Sequence, residues 1–503
     1  MTRALRQACL GSDSSPTLDP ENWDAIRALG HRMLDDMIDY IASVRERPVW
    51  QPIPEAVRAR FHGALPRQPS ELGAVYREFA DFIAPHATGN VHPGFMGWVH
   101  GGGSAVGMLA EMLAAGLNAN LGGRDHVPIE VERQVVEWTR EMFGFPRGAG
   151  GIFVTGTSMA NLMAVLAARR SALGPAMRQR GVGEEGRLLT AYTSKAAHGC
   201  ITKAMDIAGF GSEALRCVGV DHAHRIDVAA LRARIAQDRK AGLKPFLVVA
   251  SAGTVDIGAI DDLAAIAVLC REENLWFHVD GAFGALAVLS PALAPRLLGI
   301  EKADSIAFDF HKWGQVPYDA GFLMVRDGER LRDAFAAPAA YLRRETRGLA
   351  AGASWPCDLG PDLSRGFKAL KTWFTLKTYG ADKLGAMIAR TCALAGYLET
   401  RILGEPRLEL LAPVNLNIVC FRYRADDANK VNGDIVIDIQ ESGIAAPSTT
   451  VLDGRLAIRA AIVNHRTDTC DIDALISAVL EFGARRAAGL GQLPEIEAPP
   501  LVP

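Results

Sequence analysis

From about residue 107 to residue 330 the chain alternates between helical stretches and short β-branched or aromatic runs, and this alternation limits the possible folds more than any other feature. Apolar positions recur at helical spacing over 107–118, 129–143, 158–172, 228–240 and 261–273, with apolar runs at 152–155, 188–193, 246–251, 275–279 and 305–308 between them. Runs apolar throughout suit strands buried on both faces, as in a parallel sheet covered by helices. The expected class is therefore α/β, a mostly parallel sheet with helices on both faces. In such sheets ligands bind beyond the carboxyl ends of the strands, so the strand-to-loop junctions are where chemistry is sought.

The flanks read differently. Ile26, Leu29, Met33, Leu34, Met37, Ile38 and Ile41 mark an amphipathic helix over 22–47, with Asp19-Pro20-Glu21 as start signals. Its apolar face suits docking on another subunit, and equally packing on its own large domain. Prolines 48, 52, 54, 66 and 69 indicate an extended connector. Beyond the Gly/Ala-rich stretch 348–354, helices are expected at 364–379, 381–400 and 467–487 and strands at 416–423 and 455–463, with a Pro-rich irregular tail at 493–503. The 503 residues, at roughly 150 per unit, divide into a helical arm and connector (1–100), a large α/β domain (101–378) and a small α+β C-terminal domain (379–503).

Composition removes several function classes. With 54 Lys+Arg against 57 Asp+Glu there is no basic field to draw the chain to nucleic acid or an anionic membrane. Eight cysteines without C-x-x-C spacing read as reduced thiols, with no structural zinc and no other metal site expected. The N-terminus MTRALRQACLGSDSSP lacks an apolar secretory stretch, and the best candidate for a membrane span, 106–117, is interrupted by Glu111. A cytoplasmic protein is expected.

The junctions hold unusual residues in order. Thr155-Gly156-Thr157-Ser158 follows a strand and opens a helix, offering backbone N–H groups and a favourable dipole to a phosphate; such residues serve equally as a plain N-cap. His198 lies just past the run 188–193, where a histidine is also an ordinary loop residue. The run Trp276-Phe277-His278-Val279 ends in Asp280, followed by the small Gly281 and Ala282. A buried carboxylate there needs a cation or several donors, unless it merely caps a turn. Finally, Asp309-Phe310-His311-Lys312-Trp313 follows another strand. A lysine desolvated at that point can present a neutral amine for imine formation; taken singly it would be read as a surface lysine. Phosphate cradle, ring neighbour, cation-seeking carboxylate and amine are together the parts of a pyridoxal phosphate site.

With these residues in place the chain resembles the group II pyridoxal-phosphate-dependent amino acid decarboxylases, the family of aromatic-L-amino-acid and glutamate decarboxylases, from Leu18-Asp19-Pro20 to about residue 466. The segment from Val279-Asp280-Gly281-Ala282, the triplet His311-Lys312-Trp313 and their 32-residue separation (312 − 280) carry the resemblance. It implies the fold-type-I architecture of pyridoxal-phosphate-dependent transferases, and Lys312 as the residue that forms the imine with the cofactor. Asp280 would pair with the protonated pyridine nitrogen. His198 would stack on the ring and relay protons, with Ala282 on the opposite face. Thr157 and Ser158 would hold the phosphate with help from His311, and Thr254 would lie near the ring substituents. The segment His92-Pro93-Gly94-Phe95-Met96-Gly97-Trp98-Val99-His100 resembles the family's substrate-facing stretch, making Trp98 and His100 candidates for substrate contact as well as plain packing residues. A homodimer is implied, with the partner's loop, equivalent to 118–123, entering the pocket.

Three departures bear on the outcome. The stretch 348–361 lacks the family's loop tyrosine that protonates the carbon left after CO2 departs; Trp355 and Leu359 fall nearest its place. Asp309 stands where the family often has Asn, and a carboxylate beside the expected phosphate would repel it unless another group intervenes. Gly101-Gly102-Gly103 is expected to enlarge the substrate pocket. The expected function is decarboxylation of an L-amino acid, aromatic by best guess, to the amine and CO2. The alternatives are decarboxylation-dependent oxidative deamination to an aldehyde, and a non-catalytic scaffold of the same fold.

Overall fold

Why the central strands are apolar throughout is visible in where successive residues go. Along Lys244–Ser251, Val248 and Ala250 join one buried cluster, while Leu247 and Val249 join another on the opposite face. Both faces are sealed, as a parallel sheet requires. The computed structural model describes residues 17–337, 342–352 and 354–489; the readings made of residues 1–16 and of the tail at 493–503 lie outside the described residues.

In chain order the strands are β1 (Phe95–Met96), β2 (Gly150–Val154), β3 (Leu189–Ser194), β4 (Leu215–Val218), β5 (Lys244–Ser251), β6 (Trp276–Asp280), β7 (Ser305–Asp309), β8 (Gly321–Val325), β9 (Leu408–Leu410), β10 (Ile418–Tyr423), β11 (Ala446–Leu452) and β12 (Arg455–Ala461). The large sheet has the order β2-β8-β7-β6-β5-β3-β4. Within it β8 runs antiparallel to both neighbours, and the remaining pairs are parallel. The helix Thr157–Leu173 packs Ala160, Met163 and Ala164 against Ile152, Val154, Ala307 and Leu323. On the other face, Leu231 and Ile235 of Val228–Lys240 and Ile266 and Leu269 of Leu263–Glu273 meet Val248, Val279 and Ile306. Asp227 and Asp262 cap those two helices by accepting from Ala230 N and Ala265 N. The expected mostly parallel α/β sheet is what the chain forms.

The second sheet, β1-β11-β12-β10-β9, is antiparallel apart from the β1–β11 pair. That parallel pair sets the 95–100 segment beside the C-terminal strands. The sheet is covered by the helices Ala428–Glu441 and Thr469–Ala487 and the later part of Lys368–Leu403, through Leu398, Ile435, Ile439, Leu475 and Val479. Lys368–Leu403 breaks at Gly380, whose φ of +75° suits glycine, so the separate expectations for 364–379 and 381–400 correspond to its two halves.

Among the described residues, 17–44 together with Ile53–Pro85 form one compact unit, and Arg45–Pro52 with those from His86 form the other. In the first, Asn22 caps Trp23–Ala42 by accepting from Asp24 N and Ala25 N. That helix buries none of its residues and exposes Trp23, Ile26 and Ile38. The connector expected to be extended contains a helix at Glu55–Arg60, because Pro54 precedes a run of good helix formers.

Candidate active site

Every strand that carries a singled-out residue ends on the same side of the large sheet, and the loops beyond enclose a cavity of about 540 Å³. Thr157, Ser158, His198, Thr254, Asp280, Ala282, His311, Lys312, Trp98 and His100 all line it. Adjacency of β5, β6 and β7 explains much of this: Ser251 pairs with Asp280 and Asp280 with Ala307, so the ends of three strands are in register.

At the head of the helix Thr157–Leu173, Thr157 N donates to Asp309 Oδ1 at 2.7 Å, and Thr157 Oγ1 is buried with no hydrogen-bond partner. A hydroxyl orphaned at a helix N-terminus calls for an acceptor such as a phosphate oxygen. Asp309 Oδ2 lies 2.9 Å from Lys312 Nζ and 3.6 Å from His311 Nε2. The carboxylate expected to repel a phosphate is thus neutralised by the lysine and the backbone N–H. His311 Nδ1 accepts from Ala320 N at 2.9 Å, and burial pushes this imidazole down to about 4.

Asp280 sits at the cavity floor. Its Oδ1 accepts from Ala282 N at 3.2 Å and its Oδ2 from Asn161 Nδ2 at 3.0 Å. Burial raises its pKa, against the opposing effect of Lys312, the two donors and His198. Such a carboxylate is poised to gain from a cationic ring nitrogen. His198 Nδ1 accepts from Cys200 N at 3.2 Å, leaving Nε2 as the protonated nitrogen of the neutral ring. Thr254 Oγ1 accepts from Ala259 N at 3.0 Å, which fixes the turn beyond β5. The donor set, the carboxylate, the lysine and the flat space between them fit pyridoxal phosphate.

The wall carrying Trp98 and His100 is aromatic. His100 stacks on Phe95 (centroids 5.6 Å) and Trp98 (5.9 Å) and meets the Tyr318 ring edge-on at 6.1 Å. Burial and the Lys312 charge both lower the His100 pKa. Arg459, from β12, donates to the carbonyls of Trp98, Val255 and Asp256, tying this wall to the loop after β5.

Gly101 does not enlarge the pocket as expected: a Cβ there would lie 2.2 Å from the His311 carbonyl oxygen, so glycine permits close packing against the lysine-bearing turn. Gly102 packs likewise on Asn464, and none of Gly101–Gly103 lines the cavity. The loop 118–123 is tied to its own chain, with Leu121 N donating to Arg365 O at 2.8 Å. Trp355, expected near the place of the absent loop tyrosine, is buried under Arg124 and Arg344, and neither it nor Leu359 lines the cavity.

Sequence reading missed Asn161, Tyr318 and Arg459. Asn161 had a usable signal, since four residues after Thr157 it shares that helix face. Tyr318 and Arg459 had none, because the loop and strand that bring them to the cavity follow no local periodicity.

Comparison with known proteins agrees with this geometry. Residues 54–424 match the family model described as the pyridoxal-dependent decarboxylase conserved domain. An aromatic-L-amino-acid decarboxylase of Bacillus atrophaeus is 32% identical over 89% of this chain and 93% of its own length. A phenylacetaldehyde synthase of Arabidopsis thaliana is 29% identical over 89% of this chain and 94% of its own. The crystal structure of Oryza sativa TDC with PLP and tryptamine superposes with a TM-score of 0.86 at 26% identity, covering 94% of this chain and all of that one. The chain belongs to the pyridoxal-dependent decarboxylases, group II lyases of amino acids that work with pyridoxal phosphate.

Proposed function

We propose that this chain decarboxylates an L-amino acid with an aromatic side chain, releasing the amine and CO2. The observation that carries this reading is that Trp98, His100 and Tyr318 line the same cavity as Lys312, with Phe95 stacked on His100. An aromatic side chain gains stacking area against such a wall beyond simple burial. The aromatic-L-amino-acid decarboxylase relative supports the same class.

Bound pyridoxal phosphate supplies an electron-accepting ring that stabilises the carbanion left when CO2 departs. Lys312 would provide the amine that joins the cofactor's aldehyde, with Asp309 holding Nζ in place beforehand. Thr157 would bind the phosphate through its unpartnered hydroxyl, its N–H being taken by Asp309, and Ser158 through its N–H and hydroxyl, with His311 also lining the cavity. Asp280 would keep the ring nitrogen protonated, and His198 and Ala282 would lie against the ring. His198 lines the cavity with Nδ1 occupied by Cys200 N, and is the group we assign to deliver the proton to the substrate carbon.

A second reading, an aldehyde product, is favoured by the absence of tyrosine from 348–361 and by the phenylacetaldehyde synthase relative. Here slow proton delivery leaves the carbanion open to oxygen. Incubating the holoenzyme with each common L-amino acid and measuring CO2, amine, aldehyde, ammonia and peroxide tests both readings. Amine from an aromatic substrate is the expected result. Aldehyde with ammonia and peroxide would establish the second reading, and turnover of acidic or aliphatic substrates alone would overturn the aromatic assignment.

We also infer a homodimer, supported by the apolar residues Trp23, Ile26 and Ile38 left exposed on a helix with no buried residue. Gel filtration of a stable, active monomer would refute it. No described helix is long and apolar enough to cross a membrane. The cysteines among the described residues are all free thiols, which supports the reducing cytoplasm as its compartment.

A further inference from the structure

Behind the cavity floor lies a chain of buried polar side chains whose hydrogen bonds can run in one direction only. Trp276 Nε1 donates to Ser305 Oγ at 2.8 Å, Ser305 Oγ lies 2.8 Å from His278 Nδ1, and His278 Nε2 lies 2.8 Å from Asn161 Oδ1. Asn161 Nδ2 then donates to Asp280 Oδ2 at 3.0 Å and to Cys200 Sγ at 3.2 Å. An ionised carboxylate only accepts, so Asp280 sets the polarity of the chain, and the indole N–H, which only donates, is compatible with it. Ser305 gives its hydroxyl proton to His278 Nδ1, the imidazole carries its proton on Nε2, and the Asn161 amide turns its NH2 toward Asp280. His278, Asn161 and Ser305 are fully buried.

We propose that the Trp276–Ser305–His278–Asn161 relay positions Asp280 for the cofactor, by locking the Asn161 amide in the orientation that gives Asp280 a donor and keeps its carboxylate ionised. This inference rests on the assignment of Asp280 to the ring nitrogen. His278 and Asn161 do not line the cavity and act through Asp280. Reversal of the amide would set its oxygen against a carboxylate oxygen and its NH2 against the His278 Nε2–H. The chain therefore specifies one state at the floor of the site, with no alternative of similar energy.

The test measures the dissociation constant of pyridoxal phosphate from the apoprotein, with the absorbance spectrum of the reconstituted protein, in four variants. His278→Phe removes the Nε2 donor and frees the amide to turn; the Kd is expected to rise roughly tenfold to hundredfold, the loss tied to one hydrogen bond to a charged group, with a shift in the visible band. His278→Gln places an amide N–H where Nε2 stands and should restore both readouts. Asn161→Asp sets two carboxylates together and should weaken binding most. Asp280→Asn separates the two levels of the argument. If it leaves Kd and spectrum unchanged, the role given to Asp280 is wrong; if it weakens binding while folded His278→Phe and Asn161→Asp bind as the parent does, the relay is wrong. Should His278→Phe not fold, His278→Gln against Asn161→Asp decides, and equal Kd values in those two overturn the proposal.

Discussion

Acidification should destabilise this protein through histidines that its interior holds neutral, and His278 allows the size of the effect to be isolated. Burial, outweighing a contact with the Ser305 backbone, pushes His278 down to about 3, and burial likewise pushes His311 down to about 4. In the unfolded chain both titrate near 6.5. Above that pH neither state is charged and no penalty exists. As pH falls, the unfolded chain takes up protons that the folded one refuses, so stability is lost from about 6.5 down to the folded values. At pH 5 this costs ~2 kcal/mol for each histidine. Asp261 works in the opposite sense: burial raises it to about 6, so the folded state takes up its proton first and recovers ~1 kcal/mol between pH 7 and 5. The histidines win, and net destabilisation is expected. His278→Gln removes one titrating group while keeping the hydrogen bond to Asn161. In calorimetry of the apoprotein at pH 8 and pH 5, the parent's loss of Tm should exceed the variant's by ~2 °C, which is what ~2 kcal/mol amounts to in a chain of this size. Equal losses in the two proteins would refute the reasoning, because they would mean that His278 is charged in the folded state or that the unfolded state does not titrate normally.

Other consequences are open to direct measurement. Lys312→Ala should abolish the absorption band near ~420 nm that the cofactor-loaded parent shows, since that band reports the imine; a retained band would show that another amine holds the cofactor. Arg365 and Glu132 are both buried and paired at 2.6 Å, and Arg365 also donates to the carbonyls of Leu121 and Phe153. Arg365→Met leaves Glu132 charged and unpaired, for a loss of about 3–5 kcal/mol in urea unfolding, whereas Arg365→Met with Glu132→Leu should regain most of it.

Continuous apolar runs and period-3.6 patterns made most of the large sheet legible because its strands are sealed on both faces and its helices on one. The strands at 152–155, 246–251, 275–279 and 305–308 needed no tertiary information. β8 was not read, although Gly321–Val325 is as apolar as its neighbours; it lies just past the loop that carries Lys312 and Tyr318, where the expected helix-then-strand rhythm stops. The helix Ala428–Glu441 also escaped, because Asn429, Asn432 and Gly433 break its apolar stripe, and Asn432 is instead buried to hold Tyr423 through both its N–H and its carbonyl.

The site itself was legible in proportion to how local its chemistry is. Lys312, Asp280 and Thr157 stand at strand ends or helix starts, where a reactive type among apolar neighbours is conspicuous in the sequence. The groups that set their properties are not local: Asp309 reaches Lys312 and the start of a helix some 150 positions earlier, and Asn161 bridges Asp280 and His278, which share one face of β6 by being two residues apart. For Asp309 the difference reverses the reading. Alone beside a phosphate it is a liability; with Thr157 N–H at 2.7 Å and Lys312 Nζ at 2.9 Å it holds the amine at the mouth of the phosphate cradle. The sign of a buried charge's contribution is fixed by its partners, and partners separated by 150 residues meet only after the sheet has ordered its strands.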